Sequence, residues 1–362
     1  MRLGTCIVVE ITLGLALTAG AGIGGVVGVR AAAGYLADTE RVARASTAER
    51  PVRAIEPVAA GHLRVAAPVP SVTTVFPADD DALLAPLRTS KLVRVKLNHG
   101  GTSLSLRLDF ADGSRAAFKP EQTFYQSNPR REIAAYRVDR LLGLGHVPPA
   151  FARTFTVDEL IAAIDPSQRG WGDARVRDEI VSRRGQIAGE VSWWIPDIID
   201  AKIQRDRVDM DEGIVLWHRY LRAGTEVPPD AVAMAAQISD VLLFDFLIDN
   251  VDRWTLSNTK GSPDGRVLYF MDNTLAFSPF KMGRTKSHLY LHRAQKFSRR
   301  LVARLRRLTV EEVQAVIHDD GPLGELVTAP ELEALMARRD GALRYIDGLI
   351  EEHGEAAVLA FP

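Results

Sequence analysis

Two acidic side chains, Asp252 and Asp272, have the spacing and surroundings that suit a catalytic pair. Asp252 follows an apolar stretch, and Asp272 follows a turn and a short apolar run. Phosphoryl transfer needs one carboxylate to orient the attacking hydroxyl and another to hold the metal that neutralises the phosphates. We therefore predict that Asp252 is the base and Asp272 the metal ligand of such a site. Taken alone, each acid is more often an ordinary turn residue, and the rest of the chain is what favours the catalytic interpretation.

The elements around these acids predict that both lie on loops. Residues 238–248 are nearly all apolar, which indicates a buried helix, and Asp249-Asn250 supplies its stop. The Ser-Pro-Asp-Gly sequence at 262–265 favours a turn, because proline presets φ and glycine accepts a positive φ. Residues 255–260 and 266–271 can then pair as a hairpin. The first acid therefore lies just past a helix end and the second at the end of a strand.

The N-terminal half carries a second set of residues suited to phosphates. Residues 93–97 and 104–110 alternate apolar and polar side chains, which predicts two half-buried strands. Gly100 and Gly101 between them form a tip whose bare backbone can lie over phosphates, although a plain hairpin turn has the same residues. A third strand carries Lys119, the position of a phosphate-binding lysine in a kinase-like fold; an exposed strand lysine is the alternative.

Glu132 lies thirteen residues after this lysine, in the first turns of a predicted helix. Asn128-Pro129 begins the helix, with asparagine as the cap and proline in the first turn. Glu132 can approach Lys119 or a metal, but a glutamate here is also favourable simply because of the helix dipole. The geometry must decide between these two roles.

Composition excludes several classes of protein. The chain has 362 residues, and 45 Lys and Arg against 46 Asp and Glu leave a net charge of −1. No overall field attracts nucleic acid, so we expect no nucleic-acid partner. Cys6 is the only cysteine, which excludes an intramolecular disulfide and a cysteine-based zinc site.

The N-terminus predicts a membrane segment. Residues 5–29 are largely apolar and rich in glycine, long enough to cross a bilayer core. We interpret residues 1–30 as a signal anchor or a signal peptide, and favour the uncleaved anchor with the remaining chain on the extracytoplasmic side. Residues 31–86, rich in Ala, Val, Pro and charges, indicate a tether and entry segment.

Four segments in order resemble the secretory-pathway kinases, the Golgi casein kinase and four-jointed group. The resemblance covers roughly residues 92–308, and this chain is similar to a bacterial-type member because it lacks the paired cysteines of animal members. The matching segments are a helix and its exit (131–142 and 147–149), a lobe-connecting segment (186–191 and 195–197), a catalytic loop (244–247 through Asp252-Arg253) and a metal-binding pair (Asp272-Asn273).

The resemblance implies an α+β fold, the atypical two-lobed protein-kinase-like architecture, with a mainly β N-lobe containing one helix and a helical C-lobe. It places the kinase-like domain at 87–362, with lobes at about 87–190 and 191–362. By resemblance, Lys119 and Glu132 serve ATP and metal, Asp252 is the base, and Asp272 holds the metal. The adenine is expected at Val191, Ser192, Trp193 and Trp194.

Three departures from the family pattern concern the site. Trp254 replaces the histidine after Asp-Arg, Thr274 replaces the glycine after Asp-Asn, and Ser257 replaces an acidic residue near the nucleotide. Asn258 can supply a neutral oxygen to Mg²⁺ in its place. We expect ATP- and Mg²⁺- or Mn²⁺-dependent transfer to a hydroxyl, first of a protein Ser or Thr and second of a sugar. The alternative is a membrane-tethered pseudokinase that binds nucleotide without turnover.

Two further segments have charged compositions. Residues 165–184 contain Pro166, two glycines and many charges, which indicates a mobile insertion that could meet substrate or a solvated loop. Residues 293–307 hold seven Arg and Lys on a predicted amphipathic helix. A solvated face is the default interpretation, and an acidic substrate or an anionic membrane surface is the sharper one.

Overall fold

A computed structural model gives the structure of residues 70–98, 103–254 and 258–362. The predicted anchor, residues 31–69 of the tether, Gly100, Gly101 and Ser257 lie outside these residues. Within the three described ranges, no helix combines the length and apolar character of a membrane span.

A five-stranded antiparallel sheet forms the N-lobe of the described chain, in the spatial order β1-β2-β3-β5-β4. Alternating burial along the second and third strands places Leu106, Leu108 and Phe118 in one apolar core. The predicted alternation of the first strand is confirmed at Val95 and Leu97, which are buried, and is wrong at Val93, which is exposed where the pairing shifts between Leu92 and Arg94. The strands are β1 Leu92–Leu97, β2 Leu106–Phe110, β3 Arg115–Pro120, β4 Ala150–Thr156 and β5 Gln186–Trp193.

The N-lobe contains more helix than the single one predicted. Residues 165–184 include a 3₁₀ turn and a helix, so the prediction of a mobile insertion is wrong. The reason is long-range: Gln168 exchanges two hydrogen bonds with the backbone of Leu97, at 2.8 and 3.0 Å, and Val176 is buried. The helices here are α1 Asp80–Thr89, α2 Pro129–Leu142, α3 Val157–Ala162 and α4 Trp171–Glu179.

The folded region begins before the predicted boundary at residue 87. Leu83 and Leu84 of α1 are buried, and Asp80 accepts hydrogen bonds from the buried Arg140 at 2.8 and 3.0 Å. Phe76 stacks on Tyr269 with ring centroids 6.0 Å apart. A segment rich in alanine and proline therefore packs on the domain because its few apolar and acidic residues have partners distant in sequence.

Helices pack around a large apolar core to form the C-lobe. Helix α6 ends at Asp249, whose left-handed φ of 56° confirms the predicted stop. The predicted hairpin forms with shorter strands, β9 and β10, and β9 also pairs with β6. The C-lobe strands are β6 Ile199–Asp200, β7 Lys202–Ile203, β8 Asp206–Arg207, β9 Lys260–Gly261 and β10 Leu268–Tyr269. The helices are α5 Asp211–Tyr220, α6 Val232–Ile248, α7 Thr285–Leu291, α8 Arg299–Arg307, α9 Val310–Ile317, α10 Ala329–His353 and α11 Glu355–Val358.

The basic helix α8 uses several of its arginines for intramolecular contacts. Arg304 donates to the carbonyl of Leu141 at 2.9 Å, and Arg300 donates to the carbonyl of Gly143 at 3.0 Å. Both carbonyls lie at the end of α2, so these arginines cap that helix from the C-lobe. This structural use reduces the support for an acidic substrate or a membrane surface on this helix.

Candidate active site

Three of the residues singled out in the sequence meet at the ammonium group of Lys119. Lys119 lies on β3, on the sheet face opposite Phe118, and donates to Glu132 and to Oδ1 of Asp272, the latter at 2.8 Å. Burial alone lowers the pKa of this lysine, but Asp272, Glu132 and Glu190 together raise it well above its usual value. Lys119 in turn holds the pKa of Asp272 below its usual range. Lys119 and Asp272 are therefore both charged at neutral pH.

Glu132 connects the N-lobe helix α2 to the segment after β10. Its carboxylate accepts hydrogen bonds from the backbone N–H and the side-chain amide of Asn273, at 2.9 and 3.1 Å. With Lys119, this gives the buried carboxylate three donors from two different parts of the chain. The geometry therefore favours a positioned ionic partner for Lys119 over a residue that only complements the helix dipole.

Asp252 lies on the loop after α6, and two asparagines fix it. The side-chain amide of Asn258 donates to Oδ2 of Asp252 at 2.8 Å, while the N–H of Asp252 donates to Oδ1 of Asn250 at 3.1 Å. Asn250 also donates to the carbonyl of Asp272 at 3.2 Å, so one side chain joins the loops that carry the two acids. The sequence predicts Asn250 only as part of a helix stop; its position between two acids after a buried helix is the signal that was missed.

A buried ion pair supports both loops from beneath. Arg253 is fully buried and donates to both carboxylate oxygens of Asp245 at 3.1 and 3.2 Å, to the amide oxygen of Asn273 at 2.7 Å, and to the carbonyl of Met271. Burial raises the pKa of Asp245 to about 6, although Arg253 opposes this shift. Asp245 was overlooked in the sequence; an acid within an apolar helix, eight residues before an arginine, was the available signal.

A cavity of about 300 Å³ lies between the N-lobe sheet and these loops. One end carries the charged cluster, and the other is mainly apolar and aromatic. Asn98 and Ser103 also line it, and they flank the residues that include Gly100 and Gly101, whose predicted role stays a prediction. The apolar end is lined by Ala117, Val147, Pro148, Ala150, Trp193, Trp194, Ile195, Ile198 and Met271.

The segment predicted to contact adenine reaches this cavity only in part. Ser192, Trp193 and Trp194 line it, and Trp193 also packs edge-on against Phe76 at 5.7 Å. Val191 is paired with Phe118 and buried in the sheet core, so its prediction as an adenine contact is wrong. Successive side chains of a strand point to opposite faces of the sheet, and Val191 points to the core face, away from the cavity.

The donor set at the charged end suits a nucleotide-bound divalent ion. Among the side chains that the structure describes, no group of three or more His, Cys, Asp and Glu could hold a metal by itself. Mg²⁺ is usually bound by one or two carboxylates together with substrate phosphates, so a complete protein cage is not required. Glu132 and Asp272, which share Lys119, fit that pattern.

No family model matches the chain. Among curated proteins it is 24% identical to the human extracellular serine/threonine protein kinase FAM20C, over 77% of this chain and 56% of that protein. It is also 24% identical to the zebrafish (Danio rerio) glycosaminoglycan xylosylkinase, over 77% of each chain, and to the mouse pseudokinase FAM20A, over 80% of this chain and 61% of the other. The chain thus spans just over half the length of FAM20C.

A solved structure shares the fold. The Golgi casein kinase, crystallised with Mn and ADP, superposes with a TM-score of 0.58 at 18% identity, covering 77% of this chain and 78% of the other. The chain is therefore similar in sequence to secretory-pathway kinases and shares the fold of one of them. The predicted kinase-like fold is confirmed.

Two of the departures from the secretory-pathway kinase pattern have clear structural roles. Trp254 is buried and stacks on Tyr290, with ring centroids 5.0 Å apart, so it fills C-lobe core where the family pattern has histidine. Thr274 donates to Oδ1 of Asp272 at 3.4 Å. Neither residue blocks the cavity, since neither lines it. Ser257 lies outside the described residues.

Proposed function

We propose that this protein is a metal-dependent phosphotransferase that moves the γ-phosphate of ATP to a hydroxyl group. The observation that carries the proposal is Lys119, which Glu132 and Asp272 hold at the charged end of a cavity whose other end is apolar. A nucleotide likewise has one charged end and one largely apolar end, because its phosphates are anionic and its base is a flat, weakly polar ring. The names of the relatives, two of which are kinases, support the same class of reaction.

The roles divide among the residues as follows. Lys119 binds the phosphates, Glu132 and Asp272 hold Mg²⁺ or Mn²⁺, and the metal when bound neutralises phosphate charge. Asp252 accepts the proton of the attacking hydroxyl, and Asn258 orients its carboxylate through the 2.8 Å hydrogen bond. The amide oxygen of Asn258 then remains available as a neutral metal ligand.

The hydroxyl of a protein Ser or Thr is the first choice of acceptor, and a sugar hydroxyl is the second. FAM20C is named as a serine/threonine protein kinase, and the xylosylkinase is named for a sugar acceptor. The residues described around the cavity carry no feature that separates the two, so the order of preference rests on the match to FAM20C.

A pseudokinase is the second candidate function. Ser257 replaces an acidic residue of the family pattern, and the relatives include the pseudokinase FAM20A. In this case the cavity binds nucleotide, but Asp252 does not catalyse phosphate transfer. Retention of Asp252, Lys119 and Asp272, with Asn258 available as a neutral ligand, favours the enzyme.

Radiolabelled ATP distinguishes these functions. The full chain is incubated with γ-labelled ATP and Mn²⁺ or Mg²⁺, and label on the protein and released phosphate are measured. We expect metal-dependent transfer or hydrolysis, and a loss of at least about 100-fold in Asp252→Asn, because only the transition state needs the positioned base. Nucleotide binding without transfer at any metal concentration, together with activity gained by Ser257→Glu, would establish the pseudokinase.

We also propose that the apolar N-terminal segment attaches the kinase to a membrane and places the domain on the extracytoplasmic side. The support is the apolar composition of residues 5–29. Membrane fractionation followed by protease digestion of intact vesicles tests it. Recovery of the full chain in the soluble fraction would contradict the anchor. When protease is added to the cytoplasmic face, protection of the domain would support its extracytoplasmic location, and digestion would contradict it.

A further inference from the structure

Glu190 is a buried carboxylic side chain in the cavity that the roles above do not use. It lies on β5, is 1% exposed, and lines the cavity together with Lys119 and Ser192. The sheet register pairs Glu190 with Lys119 on β3 and with Ala152 on β4. A large acidic side chain on a buried strand is unusual, because burying a carboxyl group costs free energy unless a partner compensates for it.

Its hydrogen bonds are incomplete. The hydroxyl of Ser192 donates to the carboxylate, whereas the Oε2 atom has no hydrogen-bond partner within the described part of the chain. Burial is the main cause that raises the pKa of Glu190 to about 8; Glu132 adds to the shift and Lys119 opposes it. The side chain can therefore offer both an acceptor and, when protonated, a donor. A buried polar atom that lies beside a cavity and has no hydrogen-bond partner indicates that a ligand group supplies the missing hydrogen bond.

The position of Glu190 along the cavity indicates which part of a nucleotide it meets. On one side, its cross-strand neighbour Lys119 marks the phosphate end. On the other side, Ser192 pairs with Ala117 and Ala150, which line the apolar end. A nucleotide with phosphates at Lys119 and its base at the apolar end brings an edge of the base past Glu190.

We propose that Glu190 recognises the purine edge and selects a 6-amino purine, as in ATP, over a 6-oxo purine, as in GTP. This inference rests on the proposed function, because it assumes that a nucleotide occupies the cavity. Adenine presents an N6–H donor beside the N7 acceptor, whereas guanine presents two acceptors, O6 and N7. A carboxylic acid offers one acceptor and one donor, which complements adenine, and a carboxylate accepts from N6–H but opposes O6.

The test compares nucleotide binding by three variants of the full chain. Dissociation constants for ATP, GTP and ITP are measured by calorimetry with Mn²⁺; ITP has the 6-oxo group without the 2-amino group. The wild type is expected to prefer ATP over both by about 10- to 100-fold, the range of one bidentate contact to a purine edge. Glu190→Gln should keep this preference, because an amide also offers one donor and one acceptor.

Removal of the polar group should abolish the selection. In Glu190→Ala and in Glu190→Leu, which fills more of the volume, the preference for ATP is expected to fall to within about 3-fold of parity. Either variant suffices if the other does not fold. A wild-type preference that persists in the folded Ala or Leu variant, or wild-type binding without discrimination against ITP, overturns this inference alone. Failure of the wild type to bind any of the three nucleotides overturns the proposed function as well.

Discussion

Replacing Asp245 with leucine should destabilise the protein more than the loss of one hydrogen-bonded side chain suggests. Asp245 is 2% exposed and gives both carboxylate oxygens to Arg253, which is fully buried. Without the carboxylate, the guanidinium keeps its hydrogen bonds to Asn273 and to the carbonyl of Met271, neither of which is charged. The variant therefore leaves a buried cation without its hydrogen-bonded counter-charge.

The magnitude follows from this burial. Breaking a buried ion pair by removing one partner costs about 3–5 kcal/mol of unfolding free energy. The pair itself contributes little, because the pKa of Asp245 rises from 3.8 to about 6, so ionising this carboxyl costs more in the folded state than in the unfolded one. The contribution of Asp245 to the free energy of unfolding therefore falls as pH rises from about 4 to 6, and is constant above that pH.

Urea unfolding of the full chain, followed by tryptophan fluorescence at pH 7.5, measures the effect. We expect Asp245→Leu to lose about 4 kcal/mol, while Asp245→Leu combined with Arg253→Met stays within about 2 kcal/mol of the wild type. The matched control Asp245→Asn keeps the volume and one acceptor for Arg253, and should fall between the wild type and Asp245→Leu. The coupling energy of the two sites should exceed about 2 kcal/mol.

Two results would refute this reasoning. If Asp245→Leu loses less than about 1 kcal/mol, Arg253 does not depend on this carboxylate as its burial implies. If the effects of the two substitutions simply add, the side chains do not act as a pair, and the support that they give to the loops of Asp252 and Asp272 must come from elsewhere.

Three further predictions concern separate regions. Asp240→Asn should stabilise the protein by on the order of 2 kcal/mol at pH 8 and not at pH 4. Burial raises the pKa of Asp240 from 3.8 to about 7, Arg300 opposes this shift, and the Oδ1 atom has no hydrogen-bond partner within the described residues. The free-energy cost of ionising Asp240 therefore grows across that pH window, and thermal unfolding at both pH values checks this. Deleting residues 1–86 should lower Tm by at least about 5 °C relative to deleting 1–69, since only the longer deletion removes Asp80, which pairs with buried Arg140 alongside Asp139; equal Tm values would contradict it. Asn258→Ala should raise the Mn²⁺ concentration for half-maximal activity by about 10-fold, and an unchanged metal dependence would exclude this residue as a ligand.

The sequence predicts the site residues whose signals are local. Asp252 and Asp272 follow a helix stop and a hairpin, and Lys119 follows two alternating strands, so short patterns place each of them. Glu132 follows a helix cap in the same way. The meeting of Glu132 and Asp272 at the ammonium group of Lys119 depends on how the lobes pack. The local patterns do not contain this packing, but the family resemblance implied it.

The residues that support the site could not be predicted in the same way. Arg253 and Asp245 become partners only when α6 and the following loop fold back on each other. Glu190 lies in a strand whose adjacent residues have the pattern of an ordinary buried strand. Its proposed role becomes visible only when the cavity that it lines is known. Helix α1 has a composition that suits a tether, and it belongs to the fold because Arg140, sixty residues later, binds Asp80. Each of these misses depends on contacts that form only in the folded chain, whether the partners are eight residues apart, as for Asp245 and Arg253, or sixty, as for Asp80 and Arg140.

The division of roles between the two acids tests the account most directly. ATP is titrated calorimetrically, with and without Mn²⁺, into the full chain as wild type, Asp272→Asn and Asp252→Asn. We predict metal-dependent binding by the wild type, a loss of about 100-fold in Asp272→Asn, and affinity within about 3-fold of the wild type in Asp252→Asn, whose defect is confined to turnover. Equal losses of affinity in the two variants, or wild-type binding that does not respond to Mn²⁺, would contradict the site described above.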